Sequence, residues 1–271
     1  MVARYALAAK LNNSKPVVKE NFIQDACRGK SVLDLGCIRH SANFAINDPN
    51  WLHKIIKFVA KKVIGVDYLP DEIKKLNALG YDIIWGDVTK PLAIHETFDV
   101  IVAGDLIEHL ANFEGFFENC SRLLKADGVI IITTPNPFYA GEFHFTAFKK
   151  RFLINPEHTC WIDPQALSQL SNRFSYEINE IYFIKNSWSL KNLICETEQH
   201  PYDILQGVWQ GDSLRLQLMR RIMGAIFNLF YVPYTMFTGS RSRLVRHSDY
   251  LAVLARRADA SSIDSITRIK S

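Results

Sequence analysis

The chain has 271 residues, of which 48% are hydrophobic and 22% charged, with a formal net charge of +4. This composition suits a globular protein with a sizeable core and gives no reason to expect a nucleic-acid-binding protein. The five cysteines are widely spaced without a Cys-x-x-Cys pair, which favours reduced thiols over disulfides or structural zinc. We expect neither a signal peptide at residues 1–10 nor a membrane span.

The segment Ser31–Cys37 is a short apolar run that ends in an acid and a glycine. Two short helices are expected before it, the second beginning after Ser14 near Pro16 and ending at Gly29. The run itself has the length of a buried parallel strand. Gly36 lacks a side chain, so a ligand can approach the backbone at the carboxyl end of this strand, where ligands bind in open α/β sheets.

Helices and strands then alternate. Asn47-Asp48-Pro49 is expected to cap a helix that begins at Trp51, and the apolar face beginning at Phe113 predicts a helix that closes near Gly128. Further strands are expected at 63–67, 81–87, 98–104, 129–133, 176–184 and 250–255. Together they indicate a doubly wound α/β sheet.

The irregular segment Phe138–Cys160 is typical of a loop over an active site. Asp163-Pro164 is expected to begin another helix. The predicted organisation is a core over 1–185, a mostly helical insertion over 186–247, a last core strand over 248–256 and a polar tail over 257–271.

Three acids, Asp34, Asp67 and Asp87, end successive predicted strands. A carboxylate after the second strand, facing the Gly36 turn, can accept hydrogen bonds from both hydroxyls of a ribose. Asp87 can similarly accept from an adenine amine. Each acid alone is more often a helix cap or a solvated turn, but the set predicts an adenosine site.

Several motifs, in this order, resemble the class I S-adenosylmethionine-dependent methyltransferases. They are Val32–Cys37, Gly65–Asp67, Gly86–Val88, Phe98–Val102 and Leu106–Leu110. The similarity is to the branch with quinone O-methyltransferases and enzymes encoded with bacterial surface-polysaccharide genes, whose segment after strand five resembles Asn155–Thr159 with Trp161. The resemblance implies a Rossmann-like seven-stranded sheet with an antiparallel last strand, S-adenosyl-L-methionine as cofactor and S-adenosyl-L-homocysteine as product.

The resemblance also implies the cofactor contacts. At the methionine end, Gly36 and Cys37 would pass under the cofactor, Asp34 would help to hold its amino group, and Gly104 and Asp105 would flank it. Asp67 would bind the ribose. Tyr68 would lie against the adenine ring, and Asp87 and Val88 would contact its edge.

One departure from the family pattern concerns the glycine turn. Ile38 and His40 stand where the family usually has glycines, and Asp67 follows Gly36 by 31 residues, whereas about 20 is usual for the related dinucleotide fingerprint. We expect the loop to take another path, with Arg39 or His40 near the cofactor carboxylate. The departure counts against a nicotinamide dehydrogenase and leaves open a non-catalytic scaffold of the same fold.

Methyl transfer is an in-line displacement, so alignment supplies much of the acceleration, and a base is needed for a hydroxyl or protonated amine acceptor. The candidates are His109, His144 and His158, with Glu108, and His158 is preferred. His109 could instead be a packed residue at a helix start.

A divalent metal is a further possibility, because Asp105, Glu108 and His109 share one strand–helix junction and His158 could be a fourth ligand. Some relatives bind a cation with such an arrangement, whereas others have Glu-His at this point and no metal. An essential metal would favour methylation of a terminal ribose of RNA.

The apolar stretch Ile222–Phe237 is broken by Asn228 and Pro233, and arginines flank it. One interpretation is an interfacial helix, with residues 220–246 contacting anionic lipid or admitting a lipid-linked acceptor. The other is an apolar lid that packs on the sheet or on a second subunit of a homodimer. The arginines could also recognise phosphate or carboxylate groups of an acceptor.

We therefore expect a cytoplasmic methyltransferase, peripheral at the inner membrane surface in the first interpretation. Its acceptor would be an oxygen or nitrogen of a small or glycan-linked molecule. Polysaccharide tailoring is the first substrate hypothesis, resting on the resemblance alone, and a quinone-type acceptor is the second.

Overall fold

The computed structural model describes residues 2–144, 146–147, 155–185, 214–237 and 243–257. Seven strands form one sheet in the order β3-β2-β1-β4-β5-β7-β6. The strands are β1 Ser31–Leu35, β2 Lys62–Asp67, β3 Ile83–Trp85, β4 Phe98–Gly104, β5 Leu124–Pro135, β6 Tyr176–Phe183 and β7 Asp249–Arg256. Pairing is parallel from β3 through β5 and antiparallel where β7 lies between β5 and β6. The expected doubly wound sheet with an antiparallel last strand is confirmed.

Ten helices are described along this sheet. They are α1 Val2–Asn13, α2 Lys19–Cys27, α3 Ala42–Asn47, α4 Leu52–Val59, α5 Pro70–Ala78, α6 Phe113–Leu123, α7 Ala140–His144, α8 Pro164–Arg173, α9 Leu214–Phe237 and α10 Arg243–Arg246. A 3-10 turn, Ile107–His109, follows β4. Buried apolar side chains cover both faces of the central strands, which explains their nearly continuous hydrophobic sequences.

Several expected element boundaries are wrong, among them those of the third strand, which was expected over 81–87 and spans Ile83–Trp85. The second helix begins at Lys19 instead of near Pro16, because Val17 is extended and pairs in parallel with Ile184 at the end of β6. Asn47-Asp48-Pro49 ends α3 and does not cap α4, whose own N-cap residue is Trp51. The helix from Phe113 ends at Leu123, and Leu124 already belongs to β5, where it pairs with Phe98.

The predicted insertion is described only in part, as the helices α9 and α10. Residues 186–213, 238–242 and 258–271 lie outside the described residues, together with Cys195. The four cysteines within the described residues, Cys27, Cys37, Cys120 and Cys160, are free thiols. None of the described helices combines the length and hydropathy that crossing a bilayer requires.

Candidate active site

The glycine turn after β1 is held by Asp67 from the neighbouring strand. Gly36 has a φ of 68°, and a Cβ there would lie 2.8 Å from Leu106 Cδ1. The Ile38 N–H donates to Asp67 Oδ2 at 2.8 Å, and the Tyr68 N–H donates to Asp67 Oδ1 at 2.8 Å. Burial raises the pKa of Asp67 although these backbone donors oppose the shift. Asp67 therefore fixes the turn and still has acceptor capacity for a ribose hydroxyl.

The two replaced glycines of this turn differ in what the backbone asks of them. Ile38 is buried and has no positive φ, so it needs no glycine. His40 has a φ of 59°, in the left-handed region that glycine favours. The Arg39 guanidinium lies 2.6 Å from Asp48 Oδ2, so Asp48 already provides a partner for its charge. Of the two positions where the family usually has glycine, only the one occupied by His40 thus has a backbone conformation that favours glycine.

Asp34 forms a buried pair with a histidine that the sequence did not single out. His53 Nδ1 lies 2.9 Å from Asp34 Oδ2, and both side chains are almost completely buried. Cys37 lies beside them, and its carbonyl accepts from the Trp51 indole at 2.6 Å. This pair anchors α4 behind the glycine turn, so Asp34 acts structurally here, and its contact with a cofactor amino group stays a prediction.

The expected adenine side lies at the ends of β2 and β3. Tyr68 is 67% exposed, as is needed for contact with a bound ring. Asp87 Oδ1 accepts from the Thr89 N–H and hydroxyl, and Lys90 lies 3.0 Å from Oδ2; these contacts hold the pKa of Asp87 below its ordinary value. Trp85, in register with Asp67 and 66% exposed, is a further aromatic side chain at this edge that sequence reasoning missed.

Asp105 follows Gly104 at the end of β4, with a φ of 50°. Its Oδ1 accepts from the Thr133 hydroxyl at 2.7 Å, and its Oδ2 lies 2.6 Å from Lys19 Nζ. Desolvation alone would raise the pKa of Asp105, but the Lys19 ammonium and the hydrogen bonds outweigh it and lower that pKa. Lys19 therefore ties α2 to the methionine side of the expected cofactor site, a role that the sequence did not suggest.

Glu108 is a buried carboxyl group with only one of its oxygens bonded. Thr134 Oγ1 donates to Oε2 at 3.0 Å, whereas Oε1 is buried without a hydrogen-bond partner. Burial, together with the nearby charge of Asp105, raises the pKa of Glu108 to about 8. The group is consequently protonated at neutral pH and can both give and take a proton near physiological conditions.

His158 lies over Glu108, held by the segment that follows it. The backbone N–H and hydroxyl of Thr159 donate to the Glu108 carbonyl at 2.9 and 3.1 Å. His158 Nε2 is 4.0 Å from Glu108 Oε1, and its ring meets that of His109 edge to face, with 4.7 Å between centroids. Burial and the neighbouring His109 lower the pKa of His158. A neutral imidazole therefore faces a neutral carboxyl.

The same three side chains could hold a metal ion, since Glu108, His109 and His158 offer ligand atoms within 4.8 Å of one another. One carboxylate and two imidazoles suit a divalent transition metal, and Oε1 of Glu108, which has no hydrogen-bond partner, is a ligand atom for such an ion. Asp105, expected as a further ligand, is not part of this group. Its carboxylate is bonded to Lys19 and Thr133.

The structure thus gathers most predicted site residues at the carboxyl ends of β1, β2, β3 and β4. Asp34 is turned into the core, and the side chain of His144, at the end of α7, lies outside the described residues. His53 and Lys19 were missed because a lone histidine or lysine in a short helix carries no motif.

Comparison with known proteins shows the family. A family model described as a methyltransferase domain matches residues 7–181. A probable S-adenosylmethionine-dependent methyltransferase of Mycolicibacterium smegmatis is 27% identical over 57% of this chain and 54% of its own length. A ubiquinone biosynthesis O-methyltransferase of Glaesserella parasuis is 26% identical over 62% of this chain and 76% of its own.

Pavine N-methyltransferase of Thalictrum flavum is 33% identical over 38% of this chain and 29% of its own length, so the chain spans about half or less of two of these three relatives. Among solved structures, a putative methyltransferase of Bacillus halodurans has the same fold, with a TM-score of 0.51 and 12% identity over 88% of this chain and 98% of that one. By its family model, its relatives and its sheet, the chain belongs to the S-adenosylmethionine-dependent methyltransferases.

Proposed function

We propose that the protein transfers a methyl group from S-adenosylmethionine to an oxygen or nitrogen of a small-molecule or glycan-linked acceptor. The observation that carries this proposal is the pairing of Glu108 and His158, 4.0 Å apart, beside the Asp105 end of β4. Two of the relatives are named as an O- and an N-methyltransferase, which supports both kinds of acceptor atom.

In the proposed reaction the acceptor attacks the methyl carbon of the sulfonium in line with the carbon–sulfur bond, and S-adenosylhomocysteine leaves. A hydroxyl acceptor must lose its proton, and His158 takes it as general base. Glu108, with a pKa of about 8, is protonated at neutral pH and cannot take this proton, so the imidazolium, whose pKa is lowered, returns it to water. Asp105, whose pKa the Lys19 ammonium and the hydrogen bonds lower, stays ionised and would flank the methionine portion of a bound cofactor.

The test has two steps. Calorimetric titration of the cofactor-stripped protein with S-adenosylmethionine and S-adenosylhomocysteine measures binding, with and without magnesium. S-adenosylhomocysteine release is then measured against a panel of phenols, sugar nucleotides and primary amines, with His158→Gln as the matched control. Micromolar binding and acceptor-dependent release that the variant loses would support the proposal. Binding without release from any acceptor would instead favour the non-catalytic scaffold.

A metal-assisted reaction is a second candidate, favoured by the Glu108–His109–His158 group. A bound cation would polarise the acceptor hydroxyl and help it to lose its proton. Release of S-adenosylhomocysteine that stops with a chelator and returns with manganese or zinc would establish the metal-assisted reaction. Release that is indifferent to the chelator would assign the proton transfer to the side chains alone.

A further inference from the structure

Helix α9 presents a broad apolar surface to solvent. Eight of its described apolar side chains are between 42% and 70% exposed: Leu216, Leu218, Met219, Ile222, Met223, Ile226, Leu229 and Phe230. At about 100° per residue they cover an arc of about 160°. A single scattered apolar residue at a surface needs no explanation, but an arc of this width does. We call these eight side chains the α9 apolar face.

The opposite side of α9 rests on the protein. Gly224 is buried, and the Phe227 ring lies 5.7 Å from that of Phe143 in α7. α10 packs beside α7, and the Asn136 side chain, just after β5, donates to the carbonyls of Leu244 and His247. The helix is therefore attached to the segment that leaves the carboxyl edge of the sheet, with the α9 apolar face directed away from it.

The charged residues in the sequence of α9 and its flanks have one sign. Residues 213–248 contain six arginines and no lysine, aspartate or glutamate, whereas the rest of the chain has two more acidic than basic residues. Arg215 is itself exposed and lies within the same arc. An apolar helix face that carries an exposed arginine, in a stretch of sequence whose only formal charges are basic, is complementary to a lipid surface that is apolar inside and anionic at its headgroups.

We propose that the α9 apolar face binds the surface of an anionic lipid bilayer, lying in the plane of the headgroups. This assignment is independent of the methyl-transfer proposal, since it uses none of the cofactor or base residues. It also fits a helix that contacts its own protein along one side only, because the other side then finds an apolar environment in the acyl chains.

The experiment is co-sedimentation of the full chain with vesicles of phosphatidylcholine alone and of equal parts phosphatidylcholine and phosphatidylglycerol. The double variant Leu229→Glu/Phe230→Glu removes apolar contact and adds repulsion from the headgroups. It should bind the anionic vesicles about tenfold or more weakly than the natural chain. The matched control is Phe58→Glu in α4, where the ring is 89% exposed and lies on another element. It should bind as the natural chain does.

Circular dichroism and the unfolding temperature would check that the variants keep their fold, as expected for exposed positions. Binding to anionic vesicles that the double variant loses and the control keeps would establish the proposal. Equal binding to both kinds of vesicle would overturn the anionic assignment. No vesicle binding, with a dimer that only the double variant dissociates in light scattering, would assign the face to a second copy of the chain instead.

Discussion

Asp67 and Glu108 are both buried carboxyl groups at the same edge of the sheet, and they differ in how many donors surround them. Asp67 accepts from the backbone N–H groups of Ile38, Tyr68 and Leu69. Glu108 accepts from one hydroxyl and leaves Oε1 unbonded. The expected cofactor side of the site thus has a carboxylate held in place by backbone donors, whereas the proposed acceptor side holds a group whose proton is available near neutral pH.

The first prediction concerns His158, the proposed base, whose replacement should have the greatest effect. If His158 is the base, His158→Ala should lower turnover by about 10²–10⁴-fold, because a positioned base typically contributes that much. The cofactor dissociation constant should stay unchanged, since the side chain lies over Glu108 and is not among the expected cofactor contacts. Turnover is measured as S-adenosylhomocysteine release and affinity by calorimetry. Loss of cofactor binding in a folded variant would show that the base assignment is wrong.

The second prediction concerns the pH dependence of stability. The pKa of Glu108 is about 8 when folded and 4.5 in its ordinary state, so the contribution of this group to stability is fully present below about 4.5, falls as the pH rises from there, and is lost once the pH has passed about 8. Glu108→Gln cannot ionise and should lack this loss, which is on the order of 5 kcal/mol. Urea unfolding of both proteins from about pH 5 to about pH 9 measures the difference. Parallel curves would contradict the buried proton.

The third prediction concerns Asp67 and the affinity for the cofactor. Asp67→Ala removes the ribose acceptors and the brace of the glycine turn, so cofactor binding should weaken by about 1.5–3 kcal/mol. Asp87→Ala is the control, because its carboxylate is engaged with Thr89 and Lys90. It should have a smaller effect on the affinity measured by calorimetry. Unchanged affinity of Asp67→Ala would refute the ribose role.

The smallest expected effect is on the stability of variants at His40 and Ile38 in the glycine turn. His40 occupies a left-handed conformation that favours glycine, so His40→Gly should stabilise the fold by about 0.5–1 kcal/mol. The matched variant Ile38→Gly should destabilise it, because Ile38 is buried and has no positive φ. Thermal unfolding of both variants distinguishes these positions. A destabilised His40→Gly would mean that contacts of the imidazole outweigh the backbone strain.

The sequence predicted the parts of the fold that repeat a strong local pattern. The strand runs ending at Asp34–Gly36 and Asp67 carry branched apolar residues bounded by glycine, acid or turn residues, and both are strands in the expected positions. Boundaries set by long-range pairing were missed. Val17 is extended only because Ile184, at the far end of the core, pairs with it.

The site was predictable as a set of residues but not as a set of contacts. Asp34 lies one residue before the end of its strand, close to its expected place, yet nothing in the sequence indicated that His53, 19 residues later, would lie against it. The spacing of Glu108 and His109 placed them together, but only the chain path brings His158 within 4.0 Å of Glu108. Such contacts depend on where loops run, and short motifs do not encode loop paths.

The two edges of the sheet have a consequence for aggregation. β3 is only three residues long, and β6 carries the exposed Glu177 and Glu180, a register shift between Ile178 and Glu180, and Val17 against its end. Short, charged and irregular edges resist adding a strand from another molecule. Copies of the protein should therefore not associate by pairing of their edge strands. Aggregation during purification would instead involve α9 and would be reduced by a mild detergent that covers its apolar face.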